Sequence, residues 1–368
     1  MVSNKSEASL GPLKGLKVVE FAGLGPGPFA CMLLSDMGAD VVTVDRPGAK
    51  LGDPSRIVNR GRTVVSADLK DPASKQQIIE LLDAADILVE GFRPGVMERL
   101  GLGPTELHGR NPRLIYGRIT GWGQQGPLSS TAGHDIDYIA LTGALHAIGT
   151  EDGGPTPPLN LVGDYGGGSL YLISGILAAL YERSQSGLGQ VIDAAITDGV
   201  NSMMTHFHGS AHRGQFITSR SSNMLDGGAP YYSVYKTLDH QYVAVGAIEP
   251  IFFAELCRLI DLDLSWCDAQ YDTTRWPDLR QIMANKFAQK SRGDWQKLLE
   301  NTDACTVPVL SLYEAADHHH LVARASFEIV DGVRQPVPAP RFSRSTTGIT
   351  QGVPKTITLI ENVLRRWT

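Results

Sequence analysis

Nothing in this 368-residue chain reaches the roughly 18 consecutive apolar residues that a membrane-crossing helix needs, and the polar residues 1–10 lack the basic-then-apolar order of a secretory signal. Both absences point to a soluble protein of the cytoplasm, or of an organelle should the source be eukaryotic. The terminal Arg366-Trp367-Thr368 is not the peroxisomal tripeptide. Cysteine is scarce: Cys31, Cys257, Cys267 and Cys305 are scattered and form no CxxC pair, which argues against a zinc site and against a disulfide framework, and leaves reduced, mostly buried thiols. A broad basic face is missing too, since the formal net charge is −6, so duplex nucleic acid is a poor candidate partner. No internal repeat or low-complexity segment is present.

What is there is an ordinary globular composition, 42% hydrophobic and 20% charged, at a length that favours two domains over one. The first half alternates short apolar runs with helical patterns. Strands are expected at 16–21, 40–44, 63–66, 86–90 and 114–118, with helices at 28–37, 72–84 and 95–100. Connections this short suit right-handed βαβ units, so the expected class is α/β, with a Rossmann-like parallel sheet in a large domain. Longer helices follow at 135–147 and 165–183, the second stopped by Ser186-Gly187-Leu188-Gly189, and then a strand at 190–193. Periodicity fades between 203 and 228, which reads as a linker. A small α+β domain spans 229–318, with strands 231–238 and 241–247 turning at Asp239-His240 and helices at 251–260, 276–290 and 294–301. Residues 319–329 read as a return linker, and 330–368 complete the large domain, which otherwise spans 1–202.

Gly25-Pro26-Gly27-Pro28-Phe29-Ala30 fits the dinucleotide pattern GxGxx[G/A], with Asp45 about 20 residues on, where a ribose-binding acid would sit. Pro26 and Pro28, however, remove two of the N–H donors that should face a pyrophosphate, and Pro28 reads better as the first residue of a helix. Residues 46–70 carry six cations (Arg46, Lys50, Arg56, Arg60, Arg62, Lys70) against Asp53 and Asp68, a local excess of four positive charges that suits a small polyanion or is simply solvated surface. Arg46 follows the second strand and Glu90-Gly91-Phe92-Arg93-Pro94 the fourth, so both arginines should emerge at the rim where open α/β sheets bind ligands.

Three further groups stand out. His134 opens a helix in Gly133-His134-Asp135-Ile136; it is either a structural histidine or a base able to exchange protons near neutral pH. Asp135 is not its orienting partner, because neighbours in sequence do not face each other on a helix. Asp164 precedes a long apolar helix and three glycines, Gly166, Gly167 and Gly168. An N-cap would account for the carboxylate, but the glycines, which weaken a helix, suggest that backbone or ligand approaches closely there, so Asp164 reads as a carboxylate facing a bound substrate. Glu249 precedes Pro250 at a strand-to-helix corner, solvated unless His134 requires an acid. His206, His208 and His212, and the run His318-His319-His320, match no metal spacing and read as linker polarity. Met203, Met204 and Met224 could form an adaptable apolar surface.

Together Leu16-Lys17-Val18-Val19-Glu20-Phe21-Ala22-Gly23, Glu90-Gly91-Phe92-Arg93-Pro94-Gly95-Val96, Gly133-His134-Asp135-Ile136, Gly163-Asp164-Tyr165-Gly166-Gly167-Gly168 and Asn223-Met224-Leu225-Asp226-Gly227-Gly228 resemble the family III CoA-transferase superfamily, nearest its α-methylacyl-CoA racemase branch. The likeness runs from about Gly11 to Trp367. It implies a 2-methylacyl-CoA thioester as ligand, with phosphates held by Arg46, Arg93, Arg99, Arg60 and Lys70, and an adenosine pocket of Ala67, Asp68 and Leu69 beside Gly91. It also implies His134 and Asp164 as the acid/base pair, Glu249 orienting His134, and an interlocked homodimer. Such chemistry needs no metal or redox cofactor, since CoA is part of the substrate; the Asp135 amide would serve the enolate-like oxygen. The rival readings are CoA transfer between carboxylic acids through an Asp164 acyl anhydride, and a non-catalytic acyl-CoA-binding protein.

Overall fold

Strands buried on both faces need near-continuous β-branched and aliphatic runs, and Val18, Val19, Val42, Val65, Ile87 and Leu88 are fully buried on four strands of this kind. The computed structural model describes residues 11–367; residues 1–10 and Thr368, on which the readings of no leader and no peroxisomal tripeptide partly rest, lie outside the described residues. Six strands form one parallel sheet: β1 (Lys17–Phe21), β2 (Asp40–Asp45), β3 (Arg62–Ser66), β4 (Ile87–Glu90), β5 (Ile115–Thr120) and β6 (Val191–Ala195), in the order β3-β2-β1-β4-β5-β6. The chain winds outward from β1 through β2 to β3, then returns to lay β4 on the other side. The carboxyl ends of β1 and β4 therefore flank the topological switch point, as the Rossmann-like expectation requires.

Helix α1 (Pro26–Asp36) starts two residues earlier than expected. Pro26, not Pro28, takes the first helical position, and both prolines fall in the opening turn, where no N–H has an intrahelical acceptor. Helix α2 (Pro72–Asp83) is N-capped by Asp71, whose carboxylate accepts the Ser74 N–H at 2.8 Å. The helix expected over 135–147 is shorter: α3 (Asp135–Leu141) stops at Thr142, whose hydroxyl turns back to the Ile139 carbonyl, and Gly143 then adopts φ +80°. The helix expected from 165 begins instead as a wide π-helical turn, Leu161–Leu170, that runs into α4 (Tyr171–Ser186) and ends at Gly187 with φ +80°. Part of the segment expected as linker is helical: α5 (Ile196–Met203) is followed by α6 (Thr205–His212), which buries none of its own residues and so left no periodic signal.

The chain divides into two compact units. The first comprises the chain up to Thr142, Leu159–Met204 and everything from His319 onward; the second comprises Gly143–Pro158 and Thr205–His318. The excursion 143–158 and the stretch 205–228 thus join the second unit, where the sequence suggested large domain and linker. The second unit holds an antiparallel sheet of β7 (Tyr232–Lys236), β8 (Tyr242–Gly246) and β9 (Thr306–Pro308), with β8 central. Strand β9 is three residues long, too short for alternation to reveal it. Helices α7 (Pro250–Leu259), α8 (Trp276–Phe287) and α9 (Arg292–Leu299) cover the sheet with Phe253, Leu256, Phe287 and Trp295. In the first unit the C-terminal segment forms a hairpin, β10 (Phe327–Val330) with β11 (Val333–Pro336), and a last helix, α10 (Ile360–Trp367), that buries Val363 and Trp367 in the sheet's core. No helix among the described residues is long and apolar enough to cross a membrane.

Candidate active site

A cleft of about 220 Å³ opens at the switch point, in the first unit. Its walls are the loops leaving β1, β4 and β5, and it is lined by both His134 and Asp164. His134 is the exposed N-cap of α3, with extended backbone (φ −132°) just outside the first turn, and its N–H donates to the Asp137 carboxylate at 2.9 Å. The main chain is thereby fixed while the imidazole is left at the cleft.

Asp164 is half-buried and does not cap a helix: it lies within the π-helical turn, so the N-cap alternative fails. A π turn widens the backbone by one residue and turns a side chain out of helical register, here toward the cleft. Burial foremost, and then the Asp135 carboxylate, push the Asp164 carboxyl above its ordinary range, while a hydrogen bond from the Asn160 side chain and the nearby His134 pull the other way. The loop after β1 rests on this group. Gly25, at φ +71°, would place a Cβ 2.8 Å from Asp164 Oδ2. The three following glycines have another cause than ligand approach: side chains at 166, 167 and 168 would meet Met203, Val200 and Ile196 of α5, and a Cβ at Gly199 would lie 1.9 Å from the Gly167 carbonyl oxygen. They let α5 seat directly on the turn that carries Asp164.

Asp135, 8% exposed, accepts the Asp164 N–H on Oδ2 at 2.6 Å. Tyr138, one turn further along α3, also lines the cleft; its hydroxyl donates to the Gly133 carbonyl, and burial, followed by the carboxylates of Asp164, Asp137 and Asp135, pushes it up to about 12. Asn160 and the carboxylate of Asp135 were not singled out as partners of Asp164 by sequence reasoning. Asn160 precedes Asp164 by four residues, a helical spacing that could have pointed to it; the contact of Asp135 with a residue 29 positions away could not be seen.

The expected phosphate-binding residues separate into two groups. Arg46 is exposed directly after β2, and Asp68 and Lys70 are exposed after β3; pairing of Asp45 with Ser66, and the Ala67 N–H donated to the Asp45 carbonyl at 2.9 Å, set Ala67, Asp68, Leu69 and Lys70 beside Arg46. Gly91 lines the cleft, Arg93 is exposed in an adjoining hollow that shares His134 and Tyr138 with it, and Arg99 is exposed at the end of the turn Val96–Arg99. Buried Glu90 anchors this loop, accepting the Phe92 N–H at 2.7 Å while paired with Arg118 at 2.8 Å.

Arg60 belongs to the second group, and the expectation for it is corrected. Its guanidinium is buried, donating to both oxygens of Asp36 at 3.1 and 2.7 Å, to Gln335 and to the Pro336 carbonyl, so its donors are spent inside the protein. Arg62 is likewise buried against Glu20. Glu249 stands where expected, exposed at the N-cap of α7 ahead of Pro250, in the second unit. His206, His208 and His212 lie on α6, and His318 contacts Gln296; among the described residues, no three His, Cys, Asp or Glu side chains are grouped to hold a metal ion. Cys31 and Cys257 are buried, Cys267 partly so, and Cys305 exposed.

Comparison with known proteins places this architecture. The chain is 44% identical over 335 residues to the α-methylacyl-CoA racemase of Mus musculus, covering 90% of this chain and 87% of that protein. It is 43% identical over 315 residues to the racemase of the same name from Homo sapiens, covering 86% and 82%. A crystal structure of a CaiB/BaiF family protein from Brucella suis superposes with a TM-score of 0.82 over 98% of this chain and 100% of that one; at 24% identity it speaks to fold alone. The model of CoA-transferase family III matches residues 13–356, and the chain belongs to that family.

Proposed function

We propose that the protein is a 2-methylacyl-CoA racemase, interconverting the (2R) and (2S) thioesters by proton transfer at the α-carbon. The observation that carries this reading is that an imidazole and a carboxyl group, from α3 and from the π-helical turn, line one cleft. The names borne by the mouse and human relatives support it.

Inversion next to a thioester needs a base on one face and an acid on the other. His134, at the cleft mouth, takes the α-proton as its C–H bond breaks, and the electron pair moves into an enolate-like thioester. Asp164, whose raised affinity for protons keeps it in the acid form more readily than a surface carboxylate, then delivers its proton to the opposite face. The reverse reaction exchanges the roles. The backbone amide of Asp135, at the first position of α3, is the donor offered to the enolate oxygen. Arg46, Lys70, Arg93 and Arg99 supply a cationic rim for the CoA phosphates, with Ala67, Asp68, Leu69 and Gly91 beside it for the nucleotide. CoA is part of the substrate, and proton transfer of this kind calls for no other cofactor. Glu249 orients the imidazole across an interlocked homodimer, donated by the partner subunit.

One epimer of a 2-methylacyl-CoA incubated in deuterated water should gain deuterium at the α-carbon and yield both epimers with no acceptor acid. Turnover that depends on an added carboxylic acid, with CoA recovered on that acid, would instead establish transfer through an Asp164 anhydride.

A further inference from the structure

The two groups that must face each other across one carbon sit on separate elements, and a single side chain ties them. Asp135 is the covalent neighbour of His134, and its Oδ2 accepts the Asp164 N–H at 2.6 Å. The chain makes room for this tie: a Cβ at Gly163 would lie 2.4 Å from the same oxygen, so the residue before Asp164 has no side chain. Asp135 is buried, and its Oδ1 has no hydrogen-bond partner among the described residues. A buried carboxylate with an unsatisfied oxygen is unfavourable, and asparagine or serine could accept the amide without a charge. Holding the amide alone does not explain a carboxylate here.

Resting on the racemase reading, we infer that the Asp135 carboxylate is a positioning residue that sets the spacing of His134 and Asp164 and lends its negative charge to keep the proton on Asp164. Among the described residues, the groups that act on Asp164 are Asp135 and His134, with Tyr138 beside them on α3 and neutral Asn160 on its own turn; Glu90, which lines the same cleft, is buried and paired with Arg118. The α5 and α1 surfaces packed against that turn bring Ile196, Val200, Met203 and Pro26, none of them charged. Of these neighbours Asp135 supplies the charge that favours protonated Asp164, and His134 opposes it.

Asp135→Asn retains an oxygen for the amide and removes the charge; Asp135→Ala removes both. In protein labelled at aspartate carboxyl carbons, with the Asp164 resonance assigned from Asp164→Asn, the NMR titration midpoint of Asp164 should fall by about half a unit or more in Asp135→Asn. The alkaline limb of its pH–rate profile should move down with it. In Asp135→Ala, kcat should drop roughly 100-fold, with KM changed by less than about threefold, as expected when two bases lose their spacing but the thioester still binds. An unmoved Asp164 midpoint in Asp135→Asn overturns the charge role, and a kcat within about twofold of the parent in Asp135→Ala, or a loss confined to KM, overturns the spacing role. Should Asp135→Ala fail to fold, the Asp135→Asn titration and pH profile decide. Because the titration needs no turnover, a parent protein that exchanges no α-proton would sink the racemase reading and still leave the Asp135 measurement to stand or fall by itself.

Discussion

Asp164 meets two opposing requirements, since the environment that equips it to deliver a proton also makes its charged form unfavourable in the folded state. Its folded value is raised above 3.8 by burial first and by Asp135 second. Between 3.8 and the folded value the native state binds more protons than the unfolded chain, so stability declines as pH rises through that window and levels off above it. Asp164→Asn should therefore melt at a higher temperature than the parent at pH 7.5, by a margin that shrinks toward pH 4, while its α-exchange falls by roughly 10²- to 10⁴-fold. Differential scanning fluorimetry at the two pH values and deuterium exchange check the two halves separately. The arginines divide the same way between chemistry and architecture. Arg93→Ala should raise KM for the thioester and weaken its dependence on salt, leaving the melting temperature close to the parent's. Arg60→Ala, which leaves buried Asp36 without its partner, should cost about 3–5 kcal/mol of stability, read from denaturant unfolding.

Among the elements, the seat of α5 on the π-helical turn decides where Asp164 points. Gly199→Ala would drive a methyl group to 1.9 Å from the Gly167 carbonyl oxygen, and the only relief is to push the two backbones apart. The expected result is a loss of about 1–3 kcal/mol, from overpacking, together with a fall in kcat larger than the change in KM. A melting temperature and a kcat both equal to the parent's would show that the turn is not held in this way. The sequence made the strands legible, because runs such as Val41-Val42 and Ile87-Leu88 mark buried strands in any fully covered parallel sheet, and five of them were placed within two residues. The π turn was hidden for an identifiable reason: Gly166, Gly167 and Gly168 signal close approach without naming what approaches, and it proved to be a helix of the same unit. The break after Leu141 was missed because the apolar spacing continues through Leu145 across Gly143.

For the whole molecule, the proposed interlocked homodimer makes a counting prediction. If His134 and Glu249 of one site come from different subunits, refolding equal amounts of inactive His134→Ala and Glu249→Ala chains together should restore about a quarter of the parent's sites, in mixed dimers that carry both lesions at one site and neither at the other. No restoration, in a preparation shown to contain mixed dimers, would put both residues of a site on one chain. Prolonged treatment with EDTA should leave α-exchange unchanged; a loss restored by a divalent cation would add a metal to the mechanism.

Neighbouring residues were enough to specify the parallel sheet, the rim at the ends of its strands and the motifs that mark His134, Asp164 and Arg93, because strand patterning and short crossovers are local properties of the chain. Which charges remain available at that rim depended on long-range packing. Arg60 and Arg46 look alike in a cationic stretch, yet Arg60 is consumed by Asp36, 24 residues away, and by Gln335, 275 residues away. The meeting of Asp135 with Asp164 is of the same kind: a hydrogen bond between distant residues leaves no period or spacing in the chain, since it is created by the packing of elements that each form for local reasons.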